Sequence, residues 1–313
     1  MGRLQARGTF TDAQAGFFGR IARGELVSVR MELRIALWAG VTMVAAGAGF
    51  LVKDNLAHLG PVTIGAGIAI AAALCLWYVA RAAPPFSWGP VASPTLAFDY
   101  VLLLGVLLIG TDLAYLETQY KLLGPNWSWH LFLLSLIQLA FAFRYDSRAL
   151  LSLSLVSFAA WRGVALSFPG GALFGRHEEA IRVNALVIGA FFLAAGILIE
   201  RAGRKAHFEP ACGNLGLLLL LGASVAGAYG GHGRLDMIWF PTLTVISAAI
   251  ITLAYRARRS DYFAQGVIAA YLGFLRLAAE LHLKIGLFYL VSAGSFGVLI
   301  LILWAHRRFK EEP

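Results

Sequence analysis

The sequence predicts an all-α fold, a polytopic transmembrane helix bundle of about ten spans with both termini cytoplasmic. Three observations lead there. Of 313 residues, 59% are hydrophobic and 14% charged, with a mean hydropathy of +0.73, a balance foreign to water-soluble domains of this size. The apolar residues come in runs near the 20 or so that a helix needs to cross about 30 Å of hydrocarbon. The basic residues sit between those runs, mostly at every second connection.

Residues 1–34 are the one sizeable polar segment. They lack the apolar core and cleavage pattern of a signal peptide and are expected to be retained. Thr11 and Gln14 have capping-box spacing ahead of Phe17, Phe18, Ile21 and Ala22, which would share a face of a short amphipathic helix. The transmembrane domain, 35–304, follows. Its spans are placed at 35–52, 62–80, 96–116, 128–143, 148–166, 181–199, 213–230, 235–255, 261–280 and 284–304, and a charged tail occupies 305–313. The fourth span is short. The ninth is polar enough to read also as a re-entrant or interfacial segment.

Charge distribution sets the topology. With the N-terminus inside, inner segments hold 18 of the 26 basic residues, among them Arg81, Arg144, Arg148, Arg201, Arg204, Lys205, Arg256, Arg258 and Arg259. Because the basic residues anchor loops, the net charge of +9 is read as membrane topology, and nucleic acid is not expected as a partner. Trp77, Tyr78, Trp127, Trp129, Tyr145, Trp239, Tyr255, Tyr262 and Trp304 fall near span ends, where amphipathic rings anchor at the interface. The two cysteines, Cys75 and Cys212, form neither a disulfide framework nor a CxxC site.

A parallel internal repeat is expected, spans 2–5 recurring as 6–9. A shift of 112 to 120 residues brings Arg81 and Pro90 onto Arg201 and Pro210. It also brings LLLGVLLIG (102–110) onto LLLGASVAG (219–227), and AFRYDSR (142–148) onto AYRARRSD (254–261).

Ionisable groups inside a span are costly and face a bundle interior, a partner or a pathway. The third span, FDYVLLLGVLLIGTDLAYLETQ (98–119), carries two acids. Asp99, near its inner end, is explained by the interface. Asp112 lies 13 residues on, about 20 Å of rise, and shares a face with Gly105 and Gln119 at seven-residue spacing. Matched depth predicts an ion pair of Asp112 with Arg162 of the fifth span or Arg276 of the ninth. With Glu117 nearby, Asp112 is the candidate proton or cation site. The bland alternative is a structural pair or an acid within reach of outer water. Gln138, Ser152, Ser154, Ser157, Asn184, Ser224, Thr244, Ser247 and Gln265 either line a polar route or hydrogen-bond between helices.

His58, His130, His177, His232 and His282 map to the outer side with Asp54, Glu178, Glu179, Asp236 and Glu280, but none has helical metal-ligand spacing, and no metal or cofactor is expected. No GxxxxGK[ST], GxGxxG or GxSxG occurs, which removes the usual phosphate-cradle, dinucleotide and nucleophile-elbow readings.

GFLVKDNLAHLGP (49–61), FDYVLLLG, TDLAYLETQYKLLGPNW (111–127) and RYDSRALLSLSLVSFAAWRG (144–163) together resemble an uncharacterised family of bacterial multi-span membrane proteins, the domain of unknown function 2157 type. The resemblance implies a bacterial inner-membrane home and brings no activity, ligand or catalytic residues. Three function classes follow from the residues. The first is a transporter or channel-like permease for a small solute or ion. The second is a non-catalytic scaffold or envelope-sensing component. The third is a lipid- or isoprenoid-modifying enzyme, supported only by the outer histidines. The lipid bilayer is the one partner all three share.

Overall fold

The computed structural model describes residues 35–44, 46–47, 50, 60–167, 178–230, 236–280 and 284–311. The expected N-terminal amphipathic helix lies outside them, as do His58, His177, His232, His282 and Asp54.

Among the described residues the chain is helical, with no strand. The helices are α1 (Ile35–Val44), α2 (Pro61–Ala82), α3 (Leu96–Tyr120), α4 (Trp129–Tyr145), α5 (Arg148–Ser167), α6 (Glu178–Ala202), α7 (Glu209–Tyr229), α8 (Asp236–Arg256), α9 (Ser260–Glu280) and α10 (Lys284–Glu311). Each coincides with a segment expected from hydropathy. Six of them, α2, α3, α6, α7, α8 and α9, contain stretches long and apolar enough to cross a bilayer. The protein is thus a multi-pass membrane protein. α9, the segment also read as re-entrant, is one uninterrupted 21-residue helix, whereas α4 is apolar but only 17 residues long.

Helix ends are set locally. Pro61 opens α2 at a position where a missing amide hydrogen costs nothing. The Thr95 hydroxyl accepts from the Phe98 amide at 3.2 Å to cap α3, and Asp99 in the first turn complements the helix dipole. α4 ends where Asp146 turns left-handed (φ 59°), and the Ser147 amide reaches back to the Ala142 carbonyl at 3.1 Å. α8 ends in the same way: Arg258 is left-handed (φ 54°) and the Arg259 amide bonds the Ala254 carbonyl at 2.9 Å.

The helices pack as antiparallel hairpins of sequence neighbours, α2 with α3, α4 with α5, α6 with α7 and α8 with α9, while α10 packs on α9. Van der Waals fit rather than hydrophobic exclusion holds membrane helices together, so glycine at a crossing is decisive. At Gly189 of α6 an added Cβ would stand 2.7 Å from the Gly216 carbonyl of α7, and at Gly216 it would stand 2.8 Å from the Gly189 carbonyl. Both obstacles are backbone and have nowhere to move.

One continuous core joins α2 through α7, with Val79, Phe98, Leu102, Val106, Ala142, Leu150, Leu151 and Phe192 almost wholly buried. Large apolar side chains cover the outward faces: Ile70 and Leu74 on α2, Val187 and Leu198 on α6, Leu218 on α7, Val245 and Leu253 on α8 are all exposed. In water this surface would be a liability, and in hydrocarbon it is the matching solvent.

All connections from α2 to α3, α4 to α5, α6 to α7 and α8 to α9 meet at one end of the bundle. Contacts of Lys205 with Trp88 and Asp146, of Arg259 with Glu200 and of His306 with Ser260 place them there.

Candidate functional site

Asp112 stands in the C-terminal half of α3 and faces α2. Gly65 lies against it: a Cβ added there would stand 3.5 Å from Asp112 Oδ1, an ordinary contact. Gly105, two turns earlier on the same face, also meets α2: its added Cβ would lie 3.1 Å from Cys75. The shared face read from the seven-residue spacing is real, and its occupant is α2. Asp112 Oδ1 is buried and has no hydrogen-bond partner, while one helical turn away the Tyr115 hydroxyl donates to the Pro61 carbonyl at 3.2 Å.

The expected ion pair of Asp112 is not formed. Arg162 Nε donates to Asn184 Oδ1 at 3.3 Å, joining α5 to α6. Arg276 Nε donates to the Ala228 carbonyl at 2.9 Å, joining α9 to α7. Matched depth was a poor guide because α3 turns this face toward α2, its hairpin partner, and not toward α5 or α9.

Glu117 does not join Asp112 either. Its Oε2 accepts from the Leu123 amide at 3.0 Å and so fixes the turn after α3. It also lines a cleft of about 500 Å³ with Ala114, Thr118, Lys121, Gly124, Trp127 and His130. Asp99 accepts from the Ser93 hydroxyl at 2.7 Å at the helix start, in keeping with an interfacial role.

Most of the hydroxyls and amides that might have marked a route are bonded within or between helices, while Ser247 Oγ and Gln265 Oε1 are buried without a partner. Ser154 donates to the Ser135 carbonyl and Ser157 to Gln138 Oε1, each at 2.8 Å and buried, and together they zip α4 to α5. Ser224 and Thr244 bond carbonyls of their own helices. Two further grooves, about 350 Å³ between α7 and α9 and about 290 Å³ between α8 and α9, are lined almost wholly by apolar side chains. Among the described residues no three of His, Cys, Asp and Glu gather where a metal ion would bind.

The densest polar chemistry lies where the connections meet, and the sequence reading passed over it. Lys205 is 1% exposed, with its ammonium 2.7 Å from Asp146 Oδ1, and the Asp146 side chain is 4% exposed. His207 Nε2 lies 2.6 Å from the same oxygen, and the Val91 amide donates to Oδ2 at 2.6 Å. Burial alone would push the Asp146 carboxyl up. The hydrogen bonds from Lys205, from the Val91 amide and from His207 outweigh it and hold the group below the usual carboxylate range. Beside this triad, Glu209 at the start of α7 accepts from Tyr262 at 2.7 Å and pairs with Arg259, whose other nitrogen reaches Glu200 at 3.1 Å.

The signal for the triad was present in the sequence, as the acid Asp146 between Arg144 and Arg148. Both networks are built from groups that pair with one another across connections, so their chemistry is cohesion. They tie the α2–α3, α4–α5 and α6–α7 connections, and the α8–α9 turn, into one rigid end.

Compared with protein-family models, curated proteins and solved structures, the chain matches none.

Proposed function

We propose that this is a ten-span protein of a bacterial inner membrane, both termini cytoplasmic, that works as a permease for a proton or small cation held at Asp112. The observation carrying this reading is the buried, unpartnered Asp112 oxygen between two helices long enough to cross the bilayer. A carboxylate left without a donor in low dielectric is stabilised by whatever cation or proton reaches it, and acids so placed mark transport routes.

The proposed fold is two parallel four-helix units, α2–α5 and α6–α9. Its support is the matching hairpin order, the identical backbone caps at Asp146 and Arg258, and the glycines at 110 and 227. Gly110 meets Leu134 of α4 and Gly227 meets Trp239 of α8, the equivalent helix of each unit. In that alignment Asp112 falls on Tyr229, so the acid belongs to one unit only. One functional group in a duplicated frame is what a single site needs.

The test uses the full chain in liposomes carrying a pH-sensitive dye, with imposed proton, sodium or potassium gradients. Wild-type protein should dissipate one of them, and Asp112→Asn should lose that flux while keeping the wild-type unfolding temperature. Equal flux in the two proteins would sink the role of Asp112. Absence of flux under every gradient would favour the scaffold reading, which the bonds of Ser154 to the Ser135 carbonyl and of Ser157 to Gln138 support.

A further inference from the structure

We propose that the α2–α3 connection forms a binding surface for the phosphate of an anionic phospholipid in the adjoining leaflet. It is independent of any transport at Asp112, which lies at the other end of α3.

The connection is held from beneath. The Lys205 amide donates to the Trp88 carbonyl at 2.7 Å, and the Val91 amide is taken by Asp146. The Lys205 ammonium sits 5.4 Å from the centre of the Phe86 ring. Held in this way, Phe86 and Trp88 stand edge to face at 5.1 Å and remain 46% and 50% exposed. Two large rings displayed on a fixed loop at the ends of membrane helices belong at the boundary of headgroups and acyl chains.

Three exposed arginines lie along this connection and the helix ends beside it. Arg204 lies over Trp88 at 5.1 Å, Arg81 lies over Trp77 at 4.3 Å, and Arg144 donates one nitrogen to the Pro84 carbonyl at 3.4 Å. Each guanidinium is therefore positioned by a neighbour that uses little of its donor capacity. A planar fork held this way suits two oxygens of a phosphate, and little rotamer freedom remains to be lost on binding.

Nearby acid does not cancel this charge. Asp146 is occupied by Lys205 and His207, and Asp99 accepts from Ser93. What results is a patch both cationic and aromatic. A free phosphate has no use for the rings, and a lipid headgroup with its attached chains uses both. Basic pockets between membrane helices recognise anionic headgroups in this manner. At about fivefold per arginine, three give a preference on the order of a hundredfold over a zwitterionic lipid.

The experiment is native mass spectrometry of the full chain in mild detergent, titrated with phosphatidylglycerol, phosphatidylcholine or inorganic phosphate. Wild-type protein should retain phosphatidylglycerol well above phosphatidylcholine. The triple variant Arg81→Gln/Arg144→Gln/Arg204→Gln should lose at least tenfold of that retention with its unfolding temperature unchanged. Arg256→Gln/Arg307→Gln, which removes exposed charge from the same end of the bundle, should retain the lipid as wild type does. The proposal is overturned by a triple variant that still retains the lipid, by an equal loss in the Arg256/Arg307 variant, or by inorganic phosphate binding as tightly as the lipid. If the triple variant unfolds, Phe86→Ser/Trp88→Ser, changed only at exposed rings, decides instead: undiminished retention refutes the surface.

Discussion

Replacing Lys205 by Met removes one charge from the buried triad while leaving most of its packing. The Lys205 ammonium lies 5.4 Å from the centre of the Phe86 ring and 5.9 Å from that of Phe208, and an unbranched Met chain can follow the same course. Asp146, 4% exposed, would keep the Val91 amide and His207 as donors but lose its ammonium partner. Stripping a buried ion pair of one member costs about 3–5 kcal/mol, and the two surviving donors place this case at the lower end, near 3 kcal/mol. For a chain of this length that is about 5 °C in unfolding temperature, readable by tryptophan fluorescence of the detergent-solubilised protein. Asp146→Asn/Lys205→Met removes both charges and should recover about half of the loss. The pH dependence has a definite sign. The Asp146 carboxyl is held below its ordinary value in the folded protein, so its stabilisation is complete above the unfolded value of about 3.9. It is lost as pH falls further through the depressed folded value. The gap between wild type and Lys205→Met should accordingly be full at pH 7 and close below about pH 4. A single variant that loses less than about 1 kcal/mol, or a double variant as damaged as the sum of its singles, would refute the buried ion pair as the fastening of this end.

Other substitutions probe the frame. Gly216→Ala drives a methyl group into the Gly189 carbonyl and should cost about 3 kcal/mol or prevent purification of a folded protein, read by the same thermal assay. Ser157→Ala strands Gln138 Oε1 in the α4–α5 interface, for a loss of about 1 kcal/mol that Gln138→Leu in the same chain should relieve. Thr95→Ala removes the α3 cap and should cost about 1 kcal/mol, with faster amide hydrogen exchange confined to residues 96–99.

Among the described residues hydropathy located the long helices, six of them apolar enough to cross a bilayer, because burial in hydrocarbon imposes a length and a composition that a sequence cannot disguise. The face of α3 was legible for a similar reason: Gly105 and Asp112 recur at a helical period, and both turn to α2. The partner of that face was not legible. Depth in the bilayer can be counted along a chain, but which neighbour a face meets depends on how the hairpins settle side by side. Asp112 was accordingly assigned to arginines that bond Asn184 and Ala228. Gly189 and Gly216 were missed because glycine is common in membrane helices, and only the crossing distinguishes a structural glycine from an ordinary one. Lys205 was counted as a topology marker among exposed cations. Its left-handed backbone and burial come from the docking of three connections far apart in sequence.

Because each long helix finds its closest companion in the segment synthesised immediately before or after it, the chain can enter the bilayer two helices at a time. No early pair must wait unmatched in lipid for a distant one. Asp146 and Lys205, separated by 59 positions, come together only after α6, which ends with Ala202, is in place. Their meeting would thus report that α6 has joined α4, before α7 is needed.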